Sequence, residues 1–450
     1  MDPGQGSRPE GRPGSARLDT QCQTNLVSKT MQSVGIEAIN VFGGSAFLDV
    51  QQLARHRGLD MRRFENLLMR QKTVALPFED PVTFAVNAAY PILARLTTEQ
   101  KASIEMVVTC TESGIDFGKS LSTYIHHHLG LHRGCRLFEV KQACYSGTAG
   151  LQTALNFVLG AASPGARALV IATDISRFMV AEGGDALTED WSFAEPSGGA
   201  GAVAMLVGAE PIVFQADVGA NGIHGFEVMD TCRPMPDSEA GDSDLSLLSY
   251  LDCCEQTFLA YRSRVDGVDY RDTFQQLVFH TPFGGMVKGA HRTMMRKFAG
   301  VGPGEIDEDF NRRVVPGLQY CQRVGNIMGG TVYLALASAI DNAPINSPMR
   351  VGCFSYGSGC CSEFFSGVVT PESQARQRAF AIRDRLDGRH PLDMAEYESV
   401  LAASRNLRFG TRNVVIDPEF LPAARRCRAG NRRLCLKEIR EFHRDYEWVQ

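Results

Sequence analysis

Hydrophobic residues follow two different periods along this chain. Short apolar or alternating runs occur at Ile36–Val41, Ile104–Thr109, Leu137–Val140, Ala168–Thr173, Ala202–Val207, Leu277–Phe279 and Val351–Tyr356. Their length and β-branched content predict strands. Between them, apolar residues recur every three or four positions, which predicts helices over 49–56, 60–71, 81–96, 120–129, 248–265, 270–276, 288–298 and 331–340. Strand alternating with helix is the pattern of a layered α/β sheet. Two series with this layout follow one another, over 34–210 and 211–370, without a short repeat. Residues 1–33 are rich in Gly, Pro, Ser and Arg, lack periodicity and read as a disordered leader. Residues 371–450 turn charged and read as helical, ending in a basic helix from Asn431 and packing on the second half.

Composition narrows the function classes. With 44% hydrophobic and 22% charged residues, the 450-residue chain is an ordinary globular protein of more than one small core. A formal charge of −5 gives no electrostatic reason to expect nucleic acid. No apolar run approaches the roughly 18 residues of a membrane span, and no secretory leader is visible, so the expected location is cytoplasmic. The 13 cysteines are odd in number and scattered, which reads as core thiols in a reducing compartment rather than a disulfide framework. His126, His127 and His128 are consecutive, so on a helix they diverge by about 100° each and cannot converge on one metal ion.

The chemistry centres on Cys144. It follows the apolar run Leu137–Val140 and precedes the helical positions Leu151, Ala154, Leu155, Val158 and Leu159. That puts it at a strand-to-helix turn, where unpaired N–H groups favour a thiolate. A small residue at a tight turn is the bland alternative. Glu112, His280 and Asn326 lie likewise at strand ends or beside glycines, where α/β sheets place ligands. Singly, each could be a helix first-turn carboxylate, a core histidine or a turn residue. Together, a nucleophile, a carboxylate, an imidazole and an amide form a carbon–carbon bond-forming set.

Five ordered motifs make the pattern specific. Ala143-Cys144-Tyr145 with Thr148-Ala149, Thr111-Glu112-Ser113-Gly114-Ile115-Asp116, Phe279-His280-Thr281-Pro282, Gly325-Asn326 and Phe354-Ser355-Tyr356-Gly357-Ser358-Gly359 together resemble hydroxymethylglutaryl-CoA synthases of the thiolase superfamily. The stretch from His280 to Arg292 looks most like the subgroup that installs β-branches in bacterial polyketide pathways. The resemblance implies a five-layer αβαβα thiolase fold of two similar halves, usually a homodimer. It implies Cys144 as nucleophile, Glu112 as general base and His280 as partner of the acceptor, with Asn326 and Ser358 in active-site loops. In the subgroup a donor acyl carrier protein supplies acetyl and an acceptor carrier protein presents the β-ketone, both on phosphopantetheine, with no metal or redox cofactor. Arg62, Arg63, Arg70, Lys288 and Arg292 are candidates for gripping phosphopantetheine or the carrier. Two alternatives stand beside this reading: a Cys-His-Asn ketoacyl synthase, and an acetyl-CoA-using synthase of primary metabolism.

Overall fold

The computed structural model describes residues 33–176, 194–235, 238–421 and 432–450. The expected leader therefore lies outside the described residues, apart from Ser33. In chain order the strands are β1 (Gly35–Phe42), β2 (Ala46–Asp49), β3 (Gln71–Val74), β4 (Ile104–Cys110), β5 (Arg136–Val140), β6 (Arg167–Ile175), β7 (Ala200–Gly208), β8 (Phe214–Gly225) and β9 (Thr231–Met235). They continue with β10 (Ser238–Gly241), β11 (Gln276–Phe279), β12 (Met349–Gly357), β13 (Cys361–Val369), β14 (His390–Leu392), β15 (Val414–Val415), β16 (Arg433–Arg440) and β17 (His443–Val449).

Among the described residues, nine strands hydrogen-bond in the order β11-β12-β13-β8-β1-β7-β6-β4-β5. The chain is thus a mixed α/β protein. β4 runs parallel to both β5 and β6, and β11 runs parallel to β12. The remaining neighbours in the sheet are antiparallel. β6 and β7 are buried almost from end to end, as their unbroken apolar runs require when both faces of a sheet are covered. The helix Pro81–Leu93 covers one face; Asp80 and Thr83 close its N-terminus as a capping box and Pro81 opens its first turn.

The structure departs from the sequence reading in four places. The basic helix expected from Asn431 is the hairpin β16–β17. Its two-residue turn, Glu441-Phe442, has φ of 48° and 68° at residues that are neither glycine nor asparagine, so the sequence carries no turn signal. The rest of the C-terminal segment is only partly helical, and it packs on elements from the start of the chain. β14 pairs with β2, Asn87 exchanges hydrogen bonds with Leu434, and Arg444 pairs with buried Asp80 at 2.9 Å. The helix expected over 60–71 ends at Glu65, because Leu68 turns left-handed (φ 52°) and Gln71 joins β3. Residues 270–276 are turns, with the Asp269 carboxylate capping the amides of Arg271 and Asp272.

Every described cysteine is free, and most are buried, as core thiols are. No helix among the described residues is long and apolar enough to cross a membrane.

Candidate active site

Three adjacent strands, β5, β4 and β6, run parallel and end together. Each end carries one residue of the site. Cys144 follows β5, in a turn where Ala143 adopts φ 42°, and the helix Ser146–Leu159 begins two residues later. Glu112 follows β4, and the amide of the intervening Thr111 donates to the Val140 carbonyl at the end of β5. Asp174 lies near the end of β6. The Cys144 thiol donates to Glu112 Oε1 at 3.6 Å, within reach for sulfur.

The Glu112 loop is held from both sides. Asp174 Oδ1 accepts from the amides of Glu112 (2.8 Å) and Ser113 (3.0 Å) and from the hydroxyls of Thr111 (3.0 Å) and Ser113 (2.9 Å). Burial, and then the charge of Glu112, push the Asp174 carboxyl up to about 7. Arg233 donates to the Glu112 carbonyl at 3.1 Å, and its guanidinium lies 3.9 Å from Glu112 Oε2.

The far side of the cleft comes from β11 and β12. His280 follows β11; its amide donates to the Phe354 carbonyl on β12 at 2.7 Å, and its carbonyl accepts from the Tyr250 hydroxyl at 2.7 Å. The ring is buried, Nδ1 has no hydrogen-bond partner, and desolvation pushes the imidazole down to about 3, so it is neutral at physiological pH. The end of β12 meets the Cys144 turn. A methyl group on Gly357 would stand 2.5 Å from the Tyr145 nitrogen and 2.7 Å from the Gln142 oxygen, so only glycine permits this approach. Ser358 and Gly359 follow. Buried Asp230 fixes them by accepting from the Gly359 amide (2.9 Å) and the Tyr356 hydroxyl (2.5 Å). Asn326 follows Gly325 (φ 93°), and its side-chain oxygen accepts from Met328 N and the Thr331 hydroxyl. This loop reaches the nucleophile helix, because a methyl on Gly147 would lie 2.1 Å from the Gly329 carbonyl.

Residues 30–211 match the hydroxymethylglutaryl-coenzyme A synthase N-terminal family and residues 305–420 its C-terminal family. The chain belongs to the hydroxymethylglutaryl-CoA synthase family. It is 67% identical over 419 residues to the polyketide biosynthesis 3-hydroxy-3-methylglutaryl-ACP synthase PksG of Bacillus subtilis (strain 168), covering 93% of this chain and 100% of that protein. Identity to the hydroxymethylglutaryl-CoA synthase of Enterococcus faecalis is 35% over 373 residues, covering 82% of this chain and 92% of that one. Among solved structures, the curacin biosynthetic pathway HMG synthase in complex with acetyl donor-ACP matches with TM-score 0.90 and 61% identity, over 93% of this chain and 100% of that chain.

Within this family member, the sequence-predicted residues fall into two groups. Cys144 and Glu112 are in contact; His280, Asn326 and Ser358 lie on loops joined to the nucleophile segment by the contacts above. The basic candidates sit apart, on two segments that touch each other. The Gly285 amide donates to the Leu67 carbonyl, and Phe283 packs on Phe64, Leu67 and Met69. Arg62, Arg63, Arg70 and Arg292 are exposed, whereas Lys288 pairs with Asp307 at 2.9 Å. Sequence reasoning missed Arg233, Asp230 and the buried role of Asp174. Asp174 had a usable signal, an acid closing a fully apolar strand; Arg233 sits in an irregular hairpin that carries none.

Proposed function

We propose that this chain is a hydroxymethylglutaryl synthase of polyketide β-branching that takes acetyl from a donor acyl carrier protein. The observation that carries the mechanism is the Cys144–Glu112 contact of 3.6 Å at the end of three parallel strands. Identity of 67% to a polyketide synthase of this type, against 35% to a CoA-dependent one, supports the choice of substrate class.

In this reading Cys144 sulfur attacks the acetyl thioester. The new carbon–sulfur bond replaces the bond to phosphopantetheine, whose thiol leaves with the proton that Cys144 gave up. Backbone N–H groups near Cys144 and Ser358 hold the oxyanion; one such donor is typically worth about 10²–10³ in rate. Glu112 then removes a proton from the acetyl methyl group. The carbanion adds to the β-ketone of a chain on an acceptor carrier protein, and neutral His280 hydrogen-bonds the oxygen that becomes the alkoxide. Water cleaves the Cys144 thioester and frees the enzyme. The chemistry calls on no metal or redox cofactor, since the substrates bring their own phosphopantetheine. Asn326, whose side-chain oxygen is engaged within its own loop, shapes the wall of the site. Arg62, Arg63, Arg70, Lys288 and Arg292 are the proposed basic face for phosphopantetheine or the acidic carrier.

We also read the sheet as the two halves of a thiolase-type αβαβα fold, joined where β1 meets β8, with β5 at an edge suited to a homodimer. The expected setting is cytoplasmic. The ketoacyl synthase alternative is weakened by the Glu112 contact, because a decarboxylating condensation needs no base for a methyl proton.

The test is intact-protein mass after incubation with acetyl donor carrier protein or with acetyl-CoA. Gain of one acetyl group at Cys144, faster from the carrier, supports the reading. Preference for acetyl-CoA would move the enzyme to primary metabolism, and no acetylation from either donor would overturn the mechanism.

A further inference from the structure

A second cavity, of about 680 Å³, opens between the end of β1, the helix Pro81–Leu93 and the segment around β14. None of the residues of the Cys144 site lines it. Its wall carries Arg385, Arg389, Arg432, Arg433 and His390, with Asp384 as the carboxylate among them. Arginine keeps its charge at any working pH, so several in one concave wall need counter-charge.

Contacts within the fold supply little of it. Arg389 is buried and spends its guanidinium on the carbonyls of Leu386, Gly43 and Arg323, the Thr73 hydroxyl and the Gln71 amide oxygen. Arg385 reaches the Asn40 amide oxygen, and its Nε is buried without a partner. Arg433 donates to the Ser45 hydroxyl, which relays to Glu79, and its Nε is likewise buried without a partner. Arg432 stacks on Tyr90 and Trp448 at 5.2 and 4.8 Å. The other charges facing this wall are Arg95 and Asp341 near Arg385, and Asp387, which is paired with Arg323 at 2.7 Å. Desolvation holds Arg385 and Arg389 below the usual arginine range, at about 10 and about 9, as expected for guanidinium groups short of an anion. The same cavity has an apolar side formed by Phe42, Tyr90, Pro91 and Ile382.

We propose that this cavity binds a phosphorylated organic molecule, its phosphoryl oxygens gripped by Arg385, Arg432 and Arg433 and its organic part resting on Phe42 and Tyr90. Forked guanidinium groups suit phosphate oxygens better than lysine does. An apolar wall opposite them distinguishes an organophosphate from a bare phosphate ion. The site stands independently of the reading of Cys144.

Calorimetric titration of the full chain at low salt, with ADP and with inorganic pyrophosphate as probes, tests it. The expected result is saturable binding of ADP, tighter than pyrophosphate, that weakens about tenfold or more in Arg433→Gln. Arg432→Gln, at an exposed position, gives the same readout should Arg433→Gln fail to fold. Alkylation of Cys144 by iodoacetamide is expected to proceed unchanged with ADP bound. Non-saturable heats, equal affinity in both variants, or protection of Cys144 would each overturn the proposal; pyrophosphate binding as tightly as ADP would overturn its organic part.

Discussion

Asp174→Asn replaces a buried carboxyl group by an amide of the same shape, and its effect can be worked out from the site. The carboxyl is raised to about 7 by burial and by Glu112, against 3.8 unperturbed. A folded-state pKa above the unfolded one means that the native chain holds a proton which the unfolded chain has already lost. Stability from this group is therefore fully present below the unfolded value and lost as pH rises through the folded one. Between pH 5 and pH 7 the loss is about 1.4 kcal/mol per unit, or about 3 kcal/mol in all. Asparagine does not titrate, so the substitution removes that slope. It also sets an NH₂ where Asp174 Oδ2 is buried without a partner, which lowers stability by about 1–3 kcal/mol at every pH. Thermal melts of both proteins at pH 5, 6, 7 and 8 give the comparison. The wild-type curve is expected to fall from pH 5 to 7 relative to the variant, and the two to run parallel above pH 8. Parallel curves throughout would refute the argument that Asp174 is protonated in the fold below neutrality. Catalysis supplies a second readout: with the neighbouring charge gone, Glu112 is a weaker base, so condensation slows more than acetylation of Cys144.

Three further outcomes follow from the same geometry. Glu112→Gln is expected to keep self-acetylation while condensation falls by about 10²–10⁴, measured by intact mass and product assay; if both steps survive unchanged, the aldol reading is wrong. His280 has its pKa depressed to about 3, so the stability of its neutral burial is present above about 6.5 and lost as pH falls, by about 3 kcal/mol between pH 6.5 and 4.5. Melts of His280→Asn should lack that acid-side slope. Gly357→Ala puts a methyl 2.5 Å from the Tyr145 nitrogen, and displacing the Cys144 turn by about 1 Å should cost about a hundredfold in acetylation rate with the melting temperature little changed. An unaffected rate would mean that the β12 end does not position the nucleophile.

The alternation of apolar runs with three-to-four-residue periodicity was enough to locate β4, β5, β6 and β7, because each lies inside the fold as a short, nearly continuous apolar run. The turns were harder. Glu441-Phe442 and Leu68 adopt left-handed backbone with residues that do not advertise it, so one hairpin looked like a helix and one helix looked too long. Cys144, Glu112 and His280 were legible since each follows an apolar strand, and topology alone brings such ends to one edge. Arg233 was not, because it arrives from the hairpin β9–β10, and only tertiary packing sets it against Glu112.

The state of His280 decides what the acceptor half of the site can do. An imidazole buried and held near pH 3 is not an acid waiting to release a proton, because almost none of it is charged at neutral pH. It can still donate one N–H to an oxygen that gains charge, and a donor in a dry site is worth more to an alkoxide than to a ketone. The proton that finally rests on the alkoxide must then come from elsewhere, and Glu112, having just taken one from the methyl group, is the group beside the new bond that holds one. A single carboxylate would thus serve as base for the donor and acid for the acceptor. On that account the condensation rate should show no inflection near the ordinary histidine pKa. A limb near 6.5 that His280→Asn abolishes would return the acid role to the imidazole.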